Sequence, residues 1–445
     1  MNFPDALAFL ANYTNYEREL RYPYDGWAMN LERMRTLLLA LDRPDRGFAV
    51  IHIAGTKGKG STAAMIEAML RAAGHATGLF TSPHLLDFRE RIRIRGETIT
   101  EAAVARGVER LVPAAAAVAR RPALGPVTYF ELLTALAVLA FAEAGVRAAV
   151  LEAGLGGRYD ATTACAPVVS VLTPVSYDHT DLLGETLSAI AGEKAMIVKA
   201  GVPAVIAPQP EEARRVFSAR CREVGAAEVR VEERYAWRRL SEDPSGQRFD
   251  LRGGRELADL FLPLVGDHQL VNAATAVAAV DQAAPAGLGV DDAAVRSGLA
   301  SVSWPARFQR VRRAPDLILD GAHNAASAAY LRETLGRLYP GRRVLAVIGL
   351  GADKDVEGFS RELGPALAAV YLTRSRTMKA APAERLRRAL SGFALAIAET
   401  ATVAEALALA LLEARSEDVV VVTGSFYVIA EAMTVLAGRE RIFPA

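Results

Sequence analysis

The segment Ile53-Ala54-Gly55-Thr56-Lys57-Gly58-Lys59-Gly60-Ser61-Thr62 follows an apolar run and opens an amphipathic helical pattern. Glycines let backbone N–H groups approach phosphate oxygens, a helix amino end adds positive potential, and a lysine supplies a point charge for the terminal phosphates. Gly58, Lys59, Gly60, Ser61 and Thr62 are therefore candidates for holding a nucleoside triphosphate. The strict phosphate-loop pattern places Ser or Thr directly after Gly-Lys, and here Gly60 intervenes, so a plain glycine-rich turn is the competing reading. Ser82, Glu152 and His179 each follow a strand-like run. In open α/β sheets ligands gather beyond the carboxyl ends of strands, where a hydroxyl, a carboxylate and an imidazole could hold Mg²⁺ together with triphosphate oxygens and water. Taken alone, His179 reads more readily as a hydrogen-bonded turn histidine.

Composition sharpens the choice of candidates. The chain has only six lysines (Lys57, Lys59, Lys194, Lys199, Lys354 and Lys379) against 46 arginines. Arginine is a fixed planar cation, whereas lysine is a compact amine that can be neutralised and modified, so the surviving lysines mark positions where arginine would fail. Asn272 and Asn324 are the only asparagines after residue 30, which singles out their amides. A net charge of +1 with no basic run gives no footprint for nucleic-acid binding. Two cysteines, Cys165 and Cys221, exclude a disulfide framework and are not spaced as a zinc site. The apolar run 132–142 is too short to cross a bilayer and reads as a buried helix. The first twenty residues lack the basic-then-apolar pattern of a secretory signal. A soluble, cytoplasmic protein without membrane or nucleic-acid partners is expected.

The elements that must position these residues alternate. Strand candidates are 48–54, 147–152, 168–172 and 203–207, with helices over 61–74, 129–144 and 185–200, which argues for a parallel α/β sheet flanked by helices. A second α/β series runs through 317–319, 344–348, 368–373, 395–398 and 419–422. Between them lie a β-like stretch, 230–264, and helical segments 268–282 and 290–300. The pattern breaks at Ser301-Val302-Ser303-Trp304-Pro305, so domains of 1–302 and 303–445 are expected.

The glycine-rich loop and nine further motifs in order resemble the Mur ligase superfamily, and within it the folylpolyglutamate and dihydrofolate synthases. Besides the glycine-rich loop these include Thr81-Ser82-Pro83-His84-Leu85, Leu151-Glu152-Ala153-Gly154-Leu155-Gly156-Gly157-Arg158, Asp178-His179-Thr180-Asp181, Ile190-Ala191-Gly192-Glu193-Lys194, His268-Gln269-Leu270-Val271-Asn272, Trp304-Pro305-Ala306-Arg307 and Asp320-Gly321-Ala322-His323-Asn324. The resemblance implies an N-terminal P-loop ATPase-like domain of Mur ligase type and a smaller C-terminal Rossmann-like α/β domain. It implies an ATP-dependent ligase that joins L-glutamate to dihydropteroate or to the γ-carboxylate of a reduced folate through an acyl phosphate. By the same resemblance, Ser82, Glu152, His179 and Lys194 belong to two Mg²⁺ sites, and Lys194 is carbamylated. Asn272 falls at the adenine, Arg307 at the phosphates, Asp320 on the ribose, and His323 and Lys354 near the nucleotide and the cleft. Lys59, Lys194 and His323 carry catalysis. The pterin falls near Leu31, Thr128, Phe130, Tyr159, Asp160 and Ala161, with Phe130 equally readable as core. A monomer is expected.

Four residues depart from the family pattern: Tyr159 and Thr163 stand where Leu and Asn are usual, Ala306 replaces Gly, and Ala325 replaces Pro. Two other readings remain open at this point, a different Mur-type amino-acid ligase and a non-catalytic ATP-binding regulator.

Overall fold

In the computed structural model, which describes residues 1–17, 19, 23–377 and 380–438, the apolar runs become strands of two separate parallel-rich sheets. The first contains β1 (Ala49–Ala54), β2 (Thr77–Phe80), β3 (Ile92–Ile94), β4 (Glu97–Thr98), β5 (Ala148–Glu152), β6 (Pro167–Leu172), β7 (Ala204–Ile206) and β8 (Glu228–Arg230), in the order β4-β3-β2-β5-β1-β6-β7-β8. All neighbours pair in parallel except β2 with β3 and β3 with β4. β1 and β5 are covered on both faces, so they read as continuous aliphatic runs instead of alternating ones.

β9 (Tyr235–Asp243), β10 (Gly246–Gly253) and β11 (Leu257–Leu262) form a three-stranded sheet within the stretch expected to be β-like. The last sheet holds β12 (Gln309–Arg312), β13 (Asp316–Leu319), β14 (Val344–Ile348), β15 (Ala369–Leu372), β16 (Ala396–Glu399) and β17 (Val419–Thr423), ordered β12-β13-β17-β14-β15-β16. Only β12 runs antiparallel to its neighbour. By compactness the chain forms two units: 1–238, 249–261 and 268–302 make one, and 239–248, 262–267 and 303–445 make the other. The expected α/β class holds. Helices Glu101–Ala119, Glu211–Val224 and Ala325–Leu338 go beyond the runs read from the sequence. Each buries one face at helical spacing, with Val104, Val108, Leu111 and Val118 in the first, Ala213, Phe217 and Cys221 in the second, and Ala328, Leu331 and Leu335 in the third.

Helix Tyr129–Glu143 is buried along most of its length, as its apolar run predicts. Thr128 caps it: its hydroxyl accepts from the Glu131 amide at 3.3 Å, and the Glu131 carboxylate accepts from the Thr128 amide at 2.8 Å. Glu131 also receives Arg33 Nε at 2.8 Å, and both side chains are buried. The remaining Arg33 donors reach the carbonyls of Ala28 (2.7 Å), Leu124 (3.1 Å) and Trp27 (3.2 Å). One guanidinium thus ties segment 27–31 to segment 124–131. Removing one partner of a buried pair leaves an uncompensated charge, so Glu131→Ala is expected to cost about 3–5 kcal/mol in urea unfolding. Arg33→Met combined with Glu131→Leu should recover much of that loss; a double variant as unstable as the single one would show that the pair itself, and not the stranded charge, sets the cost.

Candidate functional site

Four adjacent strands of the first sheet, β2, β5, β1 and β6, end at the same edge, and the predicted residues follow them: Ser82 after β2, Glu152 on the last position of β5, the glycine-rich loop after β1, and His179 after β6. The amides of Thr56 and Lys57 both donate to the Pro174 carbonyl, at 3.0 and 3.1 Å, and the Thr56 hydroxyl reaches the Ser176 carbonyl at 3.2 Å. The first half of the loop is therefore fixed to the chain leaving β6. Helix Lys59–Ala72 begins immediately afterwards, and the amides of its first turn have no intrahelical acceptor. Gly58 has φ +84°, and a Cβ there would collide with the Asn272 side-chain oxygen. The Asn272 amide is oriented from behind by Gln269, to whose Oε1 it donates at 3.0 Å. Thr62 Oγ1 is fully buried and has no hydrogen-bond partner. A cradle of backbone donors with a buried hydroxyl in its first helical turn fits a triphosphate.

Charge surrounds that cradle. Lys59 Nζ stands 4.0 Å from Glu152 Oε1, and Glu152 Oε2 accepts the Ser82 amide at 3.3 Å. Lys57 pairs with Asp178 at 3.0 Å, and the other Asp178 oxygen lies 3.9 Å from His179 Nε2. His179 adopts a left-handed backbone (φ +50°) at the start of a short helix. Lys194, on helix Leu187–Ala195, is only 4% exposed. Burial and then the nearby Lys59 charge push its amine down to about 7, which leaves it close to half neutral at physiological pH. Among the described residues no three His, Cys, Asp or Glu cluster as a metal centre. The predicted set draws only two ligands from those types and completes itself with a hydroxyl and a lysine, so its hard oxygen donors suit Mg²⁺ once Lys194 bears a carboxylate.

The expected acceptor-binding residues surround the loop 154–163. Asp160 is buried, and its oxygens accept the amides of Gly154 (2.8 Å), Leu155 (3.0 Å) and Thr162 (3.0 Å) as well as the Thr162 hydroxyl. Its carboxylate thus holds the loop together. Phe130 is half-buried, with its ring 5.8 Å from Phe80 and pressed against Gly154, where a Cβ would come within 2.7 Å. Tyr159 packs edge-on against Tyr24 at 5.5 Å. The Tyr24 hydroxyl donates to Glu193 at 3.1 Å, and burial with the Glu193 charge raises its pKa. Arg158 pairs with the other Glu193 oxygen at 2.9 Å. Thr163, in place of the usual Asn, donates to the Gly157 carbonyl at 2.7 Å. Ala161 is buried, and Leu31 begins helix Leu31–Ala40 half-buried.

In the second unit, β13, β17 and β14 are neighbours, and Asp320, Phe426 and Lys354 follow their carboxyl ends. Asp320 accepts the amides of Phe308 and Ala322, both at 2.9 Å, while burial raises its pKa against the lowering influence of Arg307. Arg307 lies over the Phe426 ring at 4.9 Å. His323 Nδ1 is 2.8 Å from the Gly321 carbonyl, which can only accept, so Nδ1 carries a proton. Asn324 caps helix Ala325–Leu338, which accounts for its amide. Ala306 occupies the left-handed region at φ +60°, where the family's usual glycine would be unstrained. Lys354 pairs with Asp353 at 3.1 Å. Sequence reasoning missed Asp178, Tyr24, Glu193 and Phe426. Of these Asp178 and Glu193 carried a signal, since each lies in a quoted motif directly before a candidate residue, His179 and Lys194.

The family description "Mur ligase middle domain" matches residues 53–280, and "Mur ligase, glutamate ligase domain" matches residues 306–426. The dihydrofolate synthase/folylpolyglutamate synthase of Mycobacterium tuberculosis is 37% identical over 398 residues, covering 86% of this chain and 82% of that one. The protein of the same description from Escherichia coli is 34% identical over 437 residues, 98% of each. Among solved structures, Mycobacterium tuberculosis folylpolyglutamate synthase complexed with ADP has a TM-score of 0.88 at 34% identity, covering 99% of both chains. E. coli FolC in complex with DHPP and ADP has a TM-score of 0.86 at 33% identity, again over 99% of both.

Gly58→Ala must both adopt a strained φ and displace Asn272, so ADP affinity by calorimetry is expected to fall at least about tenfold; unchanged affinity would remove the loop from nucleotide binding.

Proposed function

The chain belongs to the Mur ligase family, in its dihydrofolate synthase/folylpolyglutamate synthase branch, and from that premise we infer that it is an ATP-dependent amide ligase adding L-glutamate to dihydropteroate, to the γ-carboxylate of folates, or to both. The observation that carries the reading is the Lys194 amine, buried within electrostatic reach of the phosphate-loop lysines, where a solvated helix lysine would stand in water. We assign ATP and the acceptor to the first unit, and Arg307, Asp320, His323 and Lys354 of the second remain nucleotide-binding candidates by resemblance. We place the domain division at 302/303 for the main connection and the protein in the cytoplasm. Among the described residues no helix is long and apolar enough to cross a membrane.

Joining a carboxylate to an amine in water is uphill. An acceptor carboxylate oxygen attacks the γ-phosphorus of ATP, the bond to ADP breaks, and an acyl phosphate results. The glutamate amine then attacks the acyl carbon, inorganic phosphate leaves and the amine's proton is lost. The loop amides of 58–60 and the Lys59 ammonium stabilise negative charge on the transferring phosphoryl group. The set Ser82, Glu152, His179 and carbamylated Lys194 would hold Mg²⁺, which when bound neutralises triphosphate charge. Carbamylation forms a bond between the neutral Lys194 nitrogen and the carbon of CO₂ with loss of one proton, converting an amine repelled by Lys59 into an anion attracted to it. Asp178 restrains Lys57, and the Asp160-centred loop with Phe130 and Leu31 provides a fixed wall for the acceptor. Orienting both reactants supplies the rest of the acceleration.

ATP hydrolysis is expected only when glutamate and either dihydropteroate or tetrahydrofolate are present, with glutamylated product seen by mass. Turnover stimulated instead by a UDP-muramyl acceptor, or not stimulated at all, would overturn the assignment. Because carbamylation needs the neutral amine, a carbamate signal from carbon-13 bicarbonate should grow as pH rises through about 7 and vanish in Lys194→Arg. An unmodified amine at pH 8 would exclude it. Lys59→Arg and Lys194→Arg should each lower kcat by roughly two orders of magnitude while leaving the thermal midpoint near that of the parent protein.

A further inference from the structure

His52 lies in the middle of β1, where every other residue is aliphatic and solvent does not reach. The proposed reaction gives it no part. An aliphatic side chain would fill this position without desolvation cost, whereas a buried imidazole is unfavourable unless its nitrogens are bonded. Only one nitrogen is: Nε2 lies 2.7 Å from the Thr162 hydroxyl, and Nδ1 has no partner. The Thr162 hydroxyl in turn touches Asp160, the carboxylate that gathers the amides of Gly154, Leu155 and Thr162.

The direction of this chain follows from what each atom can do. Burial raises the Asp160 pKa against the lowering influence of its hydrogen-bond donors; with Asp160 ionised, the Thr162 hydroxyl must donate to it and accept from His52, so Nε2 carries the proton and the orphan at Nδ1 is a lone pair. In the reverse direction a protonated Asp160 donates to Thr162, Thr162 donates to Nε2, and the orphan is a buried N–H. Orphaned buried N–H groups are the rarer and costlier case. We propose that His52 is a positioning residue whose Nε2–H orients the Thr162 hydroxyl toward Asp160 and so fixes the acceptor-binding loop 154–163 from within the sheet. This rests on the reading that the loop contacts the pterin acceptor. The chain links the strand that delivers the phosphate loop to the loop that receives the acceptor, so the reacting phosphorus and carboxylate are referenced to one strand.

Steady-state kinetics with dihydropteroate or tetrahydrofolate varied, and ATP and glutamate saturating, test the proposal in His52→Leu, His52→Gln, Thr162→Val and Thr162→Ser. The leucine and valine variants should raise the acceptor KM roughly tenfold, about the effect of one lost buried hydrogen bond, with kcat within about twofold and the glutamate KM unchanged. Glutamine places an amide N–H near the position of Nε2 and should restore most of the acceptor KM, as should Thr162→Ser. The double variant His52→Leu with Thr162→Val should be no worse than either single one. Nitrogen-15 histidine spectra of the unmodified protein, with the His52 signals identified by their loss in His52→Gln, should show a protonated Nε2 and a bare Nδ1. Unchanged acceptor KM in both removal variants, failure of glutamine to rescue, or a protonated Nδ1 would overturn the proposal. Should His52→Leu not fold, Thr162→Val and the spectra decide. If the parent protein glutamylates neither acceptor, the functional reading fails separately, and the nitrogen spectra still report the direction of the chain.

Discussion

Like charge gathered at the carboxyl end of β1 is the constraint around which the first unit is organised. Lys57, Lys59 and Lys194 lie within electrostatic reach of one another, and each resolves the repulsion differently. Lys57 takes Asp178 as a counter-ion, Lys59 stands near Glu152 without closing on it, and Lys194, the most buried, yields its proton readily. A protein that needed only positive charge here would use arginine, which this chain does 46 times elsewhere. The repulsion adds to burial in lowering the pKa of the Lys194 amine.

Around that centre the loops are rigid because single buried groups satisfy many partners. Arg33 reaches four residues, Trp27, Ala28, Leu124 and Glu131, through one guanidinium, and Asp160 closes its own loop by accepting four donors. Both are charged groups in low-dielectric surroundings, where complete satisfaction rigidifies and partial satisfaction would destabilise. Glu193 extends the scheme. It receives Tyr24 and Arg158 one residue before Lys194, so the loop 154–163 and the helix carrying Lys194 share a common anchor.

Strands at the centre of both sheets were legible because they are aliphatic on both faces, and the phosphate loop because its glycines, lysines and context have few other uses. Scarcity put Lys194 among six candidates, and the resemblance of its motif singled it out. What remained hidden depends on partners far away in sequence: nothing near Arg33 announces Glu131, 98 residues on, and nothing near His52 announces Thr162, 110 residues on. Thr128 and Asp160 were expected to face the acceptor. The structure gives their side chains a local duty, the first as a helix cap and the second as a loop clasp, and a cap or clasp is written in the same residue types as a binding site. Ala306 shows the opposite case, since its departure from glycine is visible in sequence but its left-handed backbone is not. Of the two lysines without a role, Lys199 donates to the Met196 carbonyl and Lys379 lies outside the described residues.

The hairpin of β9 and β10 gives the two units an unequal modularity. The chain passes from one compact unit to the other five times, and the returning pieces, 239–248 and 262–267, are integral to the second unit: buried Glu242 accepts Arg239, Arg337 and the Gly266 amide, and Gln247 donates to the carbonyls of Leu264 and Gly266. A gene segment starting at Ser303 would encode every strand of the last sheet yet omit the carboxylate that neutralises Arg337. A chain cut at that junction would therefore carry the second unit without two of its own pieces, 239–248 and 262–267.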